Sequence, residues 1–426
     1  MMGTVYRANL LDPESDFILN HIPDGLISVT EKGIIDWVGP TSEAPDELQN
    51  KAITLEDSKG LIALVPAFCD LHFHWVQDLV SDMPKNHLLE WLEQYVFPEE
   101  NRFESQDHAK SRAEVFFQKL LKCGTLSGAI YGSIHEHSIT QAMRRCIGDF
   151  RMGNVVMTEN CPPYLKQSAE DYQLTCLDLL QKFGQNLIVT PRFALSCDPQ
   201  TLKWLGHFSR QNNLFVQTHQ SETLFEIEQT LSFHRKFDQD EIAQTYLEIY
   251  DRAGLIHDKT ILGHCIHMNE QEINLMALRR AKVAHCPSSN APIENRGLGS
   301  GLFDYRRMDS VGIEWALASD IGAGPYLSML DVMKSFLEQN RSRGVDPGVK
   351  RALYRSTVAG NSILGFSKKG RIQRGYIADF VGLSRGGTER PERFLEEVFE
   401  RDRQCLNELP VNVIHRGKLK ISKRGS

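Results

Sequence analysis

Short apolar runs alternate with amphipathic stretches along most of the chain after residue 60. We count eight such runs, at residues 61–74, 125–131, 151–158, 187–196, 214–219, 260–264, 282–286 and 313–320. In the intervening stretches at 113–124 and 328–340, apolar residues recur at helical spacing, and Gly124 stands where a helix would end. Eight strands that alternate with helices predict the α/β class and a (β/α)8 TIM barrel over residues 65–369.

Both chain ends have a different pattern. Residues 26–30 and 34–39 flank a Glu31-Lys-Gly turn and predict a β-hairpin. After about residue 370 the chain returns to short strands and turns. We therefore expect a small β-sandwich domain beside the barrel, with residues 1–64 as its N-terminal part and residues 370–426 as its C-terminal part.

Metal-capable side chains stand at the ends of four predicted barrel strands. His72 and His74 end the first strand, His219 the fifth, His264 the sixth and Asp320 the eighth. Alternate residues of a strand face the same way, so the histidines of H-x-H point to one place. Barrel enzymes assemble their sites at the C-terminal ends of the strands. The pattern predicts a site for Zn2+, or for Fe2+ as a close competitor, with an open position for water.

Glu222 is the predicted proton shuttle of this site. It lies three residues after His219, in the turn beyond the strand. A metal ion lowers the pKa of its bound water to about 7 and so supplies a nucleophile. Attack on an amidine-like carbon also requires a proton for a ring nitrogen and for the departing amine. A carboxyl group close to the metal water can serve both transfers.

Composition and charge exclude several classes of protein. The 426 residues carry a net charge of -7 and a pI near 6.1, with scattered basic residues, so we expect no binding to nucleic acid. No apolar run approaches the roughly 20 residues needed to span a bilayer. The N-terminus lacks the regions of a signal peptide, and nine cysteines without a C-x-x-C motif favour reduced thiols. We expect a cytoplasmic protein without a membrane partner.

The motifs that contain these residues resemble those of the amidohydrolase superfamily, in the same order. They are Pro66-Ala-Phe-Cys-Asp-Leu-His-Phe-His74, Thr218-His-Gln-Ser-Glu222, Gly263-His-Cys265, Ala284-His-Cys-Pro-Ser-Ser-Asn290 and Ala318-Ser-Asp320. Within the superfamily the chain is similar to the guanine deaminases in three further segments: residues 88–103, residues 190–197 and residues 326–331.

The resemblance implies a division of roles. One zinc ion per chain is held by His72, His74, His219 and Asp320, while Glu222, His264 and Asp320 serve the chemistry, with His264 orienting the attacking oxygen. The implied reaction is hydrolytic deamination of guanine to xanthine and ammonia by attack of a metal-bound hydroxide on C2, a step of purine catabolism. Four implied contacts hold the purine: Gln77, Trp91, Arg192 and Phe193. The resemblance also implies a homodimer.

Some positions depart from the family pattern, and other functions stay open. Ala67 replaces a glycine, the last-strand motif is Ala318-Ser-Asp320, and Pro325 stiffens the loop after it. The main alternative is deamination of another N-heterocycle: 8-oxoguanine, a pterin, a triazine or an adenosine thioether. A two-metal hydrolase of cyclic amides is disfavoured because residues 187–196 contain no lysine, and a catalytically dead scaffold because the ligand residues and Glu222 are present. The cytidine deaminase signature is absent.

Overall fold

A computed structural model describes residues 2–58, 60–237, 242–384 and 391–423. The N-terminal part consists of seven strands: β1 (Met2–Pro13), β2 (Leu19–Thr30), β3 (Ile35–Pro40), β4 (Ile53–Thr54), β5 (Glu56–Asp57), β6 (Gly60–Leu61) and β7 (Ala63–Pro66). The predicted hairpin is confirmed, since β2 pairs with β3 antiparallel. It extends to a third strand, because β1 pairs with β2 along nearly its full length.

The barrel strands follow in order around the site. They are β8 (Phe68–His74), β9 (Thr125–Tyr131), β10 (Asp149–Gly153), β11 (Val155–Val156), β12 (Ile188–Pro191), β13 (Phe215–Gln220), β14 (Thr260–His264), β15 (Lys282–His285) and β16 (Trp315–Leu317). Neighbouring strands pair in parallel, and an isolated bridge between Met152 and Leu187 continues the order from β10 to the fourth strand. The backbone N–H of Asp320 donates to the carbonyl of His72 at 2.9 Å, which joins the last strand position to the first.

The predicted strand positions are therefore all present, with three main differences. The first predicted run, residues 61–74, contains β7 of the small domain as well as the barrel strand β8. The third predicted strand is divided into β10 and β11, which Asn154 separates. The eighth ends at Leu317, so that Asp320 lies on the loop after β16 and not at the strand's last residue.

The C-terminal segment completes the small β domain. Its strands are β17 (Phe380–Leu383), β18 (Pro410–His415) and β19 (Lys418–Ser422). β17 pairs with β7, so that both chain ends share one eight-stranded sheet in the order β19-β18-β17-β7-β1-β2-β3, with β4 beside β1. Buried side chains cover both faces of this sheet. The domain limits 1–64, 65–369 and 370–426 stay predictions, and residues 1, 59, 238–241, 385–390 and 424–426 lie outside the described part.

Helices occupy most of the connections between the barrel strands. The helices are α1 (Asp46–Lys51), α2 (Leu88–Trp91), α3 (Phe97–Asn101), α4 (Gln106–Lys122), α5 (Glu136–Arg145), α6 (Ala169–Phe183), α7 (Pro199–Gln211), α8 (Leu224–His234), α9 (Tyr246–Arg252), α10 (Glu270–Arg279), α11 (Pro287–Asn290), α12 (Tyr305–Ser310), α13 (Met329–Arg341), α14 (Val349–Arg355), α15 (Val358–Ile363), α16 (Pro391–Glu400) and α17 (Arg403–Leu406). The predicted helices at 113–124 and 328–340 correspond to α4 and α13. In the described part of the chain, no helix has both the length and the apolar character that spanning a bilayer would require.

Candidate metal centre and catalytic pocket

The five metal-capable residues predicted from the sequence come together at the C-terminal ends of the barrel strands. One ligand atom from each of His72, His219, His264 and Asp320 lies within 4.8 Å of the others. Nε2 of His74 lies 3.1 Å from Nε2 of His219 and 3.6 Å from Oδ1 of Asp320. The nitrogen and carboxylate atoms therefore converge on one small volume.

Unusual backbone conformations aim two of these side chains inward. His264 is the last residue of β14 and has φ +68°, and Asp320 has φ +49°. Residues with a Cβ seldom adopt this left-handed region, and such strain persists only where the surrounding structure enforces it. At Asp320 the enforcing contacts include the hydrogen bond from its N–H to the His72 carbonyl and that of the Gly324 N–H to the Asp320 carbonyl, at 2.6 Å.

Asp70 fastens the loop of Asp320 to the first strand. Its Oδ1 accepts from the backbone N–H of Ser319 at 2.9 Å and from that of His72 at 3.4 Å. Burial, as the largest cause, raises the pKa of this carboxyl to about 7. Asp70 lies two residues before His72, within the motif of residues 66–74, but it was not among the predicted site residues. The motif itself was the signal that could have identified it.

Burial keeps the clustered imidazoles neutral. Loss of hydration lowers the pKa of His72 and holds those of His74 and His219 well below the ordinary value. Neutral imidazole is the form that binds a metal ion. Nδ1 of His219 donates to the Arg192 carbonyl at 2.6 Å, which leaves the lone pair on Nε2 directed into the cluster.

Asn290 connects Glu222 with His264. Its amide nitrogen donates to Oε1 of Glu222 at 3.2 Å and to Nδ1 of His264 at 3.1 Å. Burial lowers the pKa of His264, so its ring is neutral and carries one proton. Because Nδ1 accepts a hydrogen bond, that proton lies on Nε2, 3.9 Å from Oδ2 of Asp320. His264 is thus prepared to donate a hydrogen bond toward the cluster.

Glu222 is held at the edge of the cluster by polar contacts. The hydroxyl of Ser300 donates to its Oε1 at 3.1 Å, and its backbone N–H donates to Oε2 of Glu226 at 2.9 Å. Burial, together with the negative charge of Asp320, raises the pKa of Glu222 to about 8. A carboxyl group with this pKa can both give and take a proton near neutral pH.

The four predicted purine contacts line one pocket beside the cluster: Gln77, Trp91, Arg192 and Phe193. Predicted catalytic and metal-site residues line it too: His74, His219, Glu222, His264 and Asp320. The ring of Phe193 lies 6.5 Å from that of His219. The pocket therefore has an aromatic wall and hydrogen-bonding groups next to a carboxyl with a raised pKa.

The donor set suits a divalent metal ion. Nε2 of His72 and Oδ2 of Asp320 are buried without a hydrogen-bond partner among the described residues, as is Nε2 of His264. Unpaired buried polar atoms are costly unless another group binds them. The tightest set of four includes His264, whereas the predicted ligands include His74. The pairing of His264 with Asn290 favours the predicted set, whose ligand roles stay a prediction.

Besides Asp70, three further contributors were not predicted from the sequence. Asn290 ends the motif of residues 284–290, so the sequence marked it as a candidate site residue but did not indicate its hydrogen bonds. Ser300 carried no signal. The ring of Tyr131, at the end of β9, lies 4.4 Å from those of both His72 and His74, and only the packing brings it there.

Known proteins resemble this chain along most of its length. The model of the amidohydrolase family matches residues 63–405. A probable guanine deaminase of Deinococcus radiodurans is 30% identical over 395 residues, which cover 88% of this chain and 86% of that protein. The guanine deaminase of Escherichia coli is 28% identical over 373 residues, with coverages of 85% and 82%.

A solved structure extends the similarity to three dimensions. The crystal structure of guanine deaminase from C. acetobutylicum with bound guanine has a TM-score of 0.86 and 28% identity, and covers 98% of this chain and 99% of that one. The predicted barrel fold and the resemblance to guanine deaminases are confirmed. This chain belongs to the amidohydrolase family.

Proposed function

We propose that this protein is a zinc-dependent enzyme that deaminates guanine hydrolytically to xanthine and ammonia. The observation that carries the proposal is the pocket in which Glu222 and the metal-capable cluster face the side chains of Arg192 and Gln77. It combines the groups for hydrolysis with hydrogen-bond donors for a flat, acceptor-rich ring. The guanine deaminases among the relatives support guanine as that ring.

His72, His74, His219 and Asp320 would hold the zinc ion. Zinc ligands about 2.0–2.2 Å from a tetrahedral ion are roughly 3.3 Å apart. Nε2 of His72 lies 3.3 Å from Oδ1 of Asp320, and Nε2 of His74 lies 3.1 Å from Nε2 of His219. Fe2+ would fit the same nitrogen and oxygen donors, so the identity of the ion is part of the test.

A bound zinc ion would polarise a water molecule and lower its pKa to about 7. Burial raises the pKa of Asp320, but the contact with His72 at 3.3 Å and the other nearby histidines outweigh it, so the pKa stays below its ordinary value. Asp320 is therefore ionised and accepts the proton of the attacking water. Glu222 would give its proton to N3 as the new C–O bond forms at C2. It would then take up the hydrogen that remains on the attacking oxygen, as that oxygen becomes a carbonyl, and deliver it to the departing amine. The proton held by Asp320 would afterwards return to Glu222. The Nε2–H group of His264 donates to the oxygen on C2.

The purine is expected to bind through its acceptor edge and its faces. Guanine offers O6 and N7 as acceptors, which suit the N–H groups of Arg192 and Gln77. The rings of Phe193 and Trp91 offer apolar contact for the flat heterocycle. The homodimer and the cytoplasmic location stay predictions.

The decisive experiment combines metal analysis with a guanine-to-xanthine absorbance assay. We expect about one zinc ion per chain and loss of activity after chelation, with recovery on addition of zinc. Ammonia release from 8-oxoguanine, a pterin, a triazine and an adenosine thioether is measured in parallel. Metal-loaded protein that releases ammonia from one of these rings but not from guanine would overturn the substrate assignment while leaving the reaction type intact.

A further inference from the structure

A buried carboxylate behind the pocket holds two of its polar side chains. Oε1 of Glu100 accepts from the amide nitrogen of Gln77 at 2.8 Å, and Oε2 accepts from Nη1 of Arg192 at 2.7 Å. The Glu100 side chain is 0% exposed and that of Arg192 is 3% exposed. Glu100 lies on α3, within residues 88–103, which resemble the guanine deaminases. The sequence motifs give Glu100 no role, and the proposed deamination mechanism does not use it.

Arg192 is fixed at both its backbone and its side chain. Its carbonyl accepts the hydrogen bond from Nδ1 of His219, and its guanidinium lies 5.2 Å from the centre of the Phe97 ring. Among the described residues, Glu100 is the hydrogen-bond acceptor of the guanidinium. The remaining N–H groups are left for a molecule in the pocket, because the five hydrogens of a guanidinium occupy fixed directions.

Gln77 has a defined amide orientation for the same reason. Its nitrogen must face Glu100, since a carboxylate only accepts hydrogen bonds. Its oxygen faces the loop after β16, where a Cβ atom on Gly322 would lie 2.3 Å from that oxygen. The amide therefore has one hydrogen of its nitrogen left for a ligand, and the absence of a side chain at Gly322 gives it room.

We propose that Glu100 is a positioning residue for purine recognition, which holds Arg192 and Gln77 as a paired set of donors for the 6-oxo side of the ring; this rests on the proposed function. The pairing has an electrostatic consequence. The carboxylate balances the guanidinium charge inside the protein, so the pair recognises an uncharged ring by the direction of its hydrogen bonds. Without Glu100 the two donors lose their common acceptor and the pocket gains a net positive charge.

The test is Glu100→Gln, with direct binding measured by calorimetry. A glutamine cannot accept from both partners with equivalent oxygens, so one donor loses its place. We expect the Kd of hypoxanthine, which keeps the 6-oxo group, to rise about tenfold, as for the loss of one buried hydrogen bond. Unsubstituted purine lacks the 6-oxo group, so its Kd for the variant should stay within about threefold of its Kd for the unmodified protein. In turnover of guanine, KM should rise while kcat and metal content stay close to those of the unmodified protein.

Two further variants keep the inference falsifiable. Glu99→Gln is the matched control, because Glu99 is the adjacent carboxylate and pairs with Arg102, away from the pocket. Glu100→Asp keeps the charge but shortens the reach, and carries the test if Glu100→Gln does not fold. Unchanged hypoxanthine binding in a folded Glu100 variant overturns the inference, as does an equal loss for both ligands together with loss of metal. Lack of guanine turnover by the unmodified protein would instead overturn the proposed function.

Discussion

Replacement of Glu222 by glutamine separates proton transfer from metal binding. In the structure Oε1 of Glu222 accepts from Asn290 and Ser300, and the amide oxygen of a glutamine can keep both bonds. The second oxygen becomes an amide nitrogen, which does not exchange protons near neutral pH. The side chain therefore stays in place while its acid–base chemistry is removed.

The expected loss is that of a general acid–base catalyst. Such groups contribute about 10²–10⁴-fold in rate, which corresponds to roughly 3–5 kcal/mol of transition-state stabilisation. In the proposed mechanism two successive proton transfers depend on Glu222, so we expect the loss of kcat to lie toward the upper end of that range. Metal content should be unchanged, because Glu222 is not among the proposed ligands.

The assay is steady-state guanine turnover at saturating substrate, with metal content measured on the same sample. Glu228→Gln is the matched control, since it makes the same chemical change at an exposed position on α8. A metal-loaded Glu222→Gln protein whose kcat is within about tenfold of that of the unmodified protein would refute the shuttle role. Loss of a general acid–base catalyst should lower kcat by at least about 100-fold.

Three other predictions follow from the site. His72→Ala should lose most of its metal together with activity; elemental analysis after gel filtration measures this, and full metal content would exclude His72 as a ligand. Arg192→Ala should raise KM for guanine about tenfold or more while its metal content is kept, because the substitution leaves the backbone carbonyl that His219 contacts. Unaltered guanine kinetics would mean that the purine binds elsewhere. Glu226→Gln should make the metal-free protein less sensitive to alkaline pH, because burial and the charge of Glu222 raise the pKa of Glu226 to about 7.

The sign of the last effect follows from proton binding. A carboxyl whose pKa is raised on folding holds more protons in the native state than in the unfolded state between its unfolded value and about 7. Its contribution is therefore fully present at low pH and is lost as the pH rises through this window. The Tm difference between Glu226→Gln and the unmodified protein, both treated with chelator, should shift in favour of the variant from pH 4.5 to pH 8. A difference independent of pH would contradict the raised pKa.

Much of the barrel was predictable because its signals are local. The two-residue period of H-x-H and the apolar runs before each histidine depend on neighbouring residues only. The limits of the strands were less accurate. Asp320 was expected at a strand end, but β16 stops at Leu317 and a loop held by Asp70 carries Asp320 to the cluster. A contact between residues 70 and 319 leaves no trace in the local pattern.

The sequence by itself determined the barrel and the metal-capable residues that follow its strands, and it predicted Glu222 as the acid–base carboxyl, because strand periodicity and motif spacing are properties of short segments. The tertiary structure alone decided which atoms are paired. Glu100 reaches Arg192 across 92 positions of the chain, and Asn290 reaches Glu222 across 68. The Glu100 pairing sets the direction of the Arg192 N–H groups, and the Asn290 pairing places the proton of His264 on Nε2. They arise when packing brings distant segments within hydrogen-bond distance, a condition that spacing along the chain does not encode.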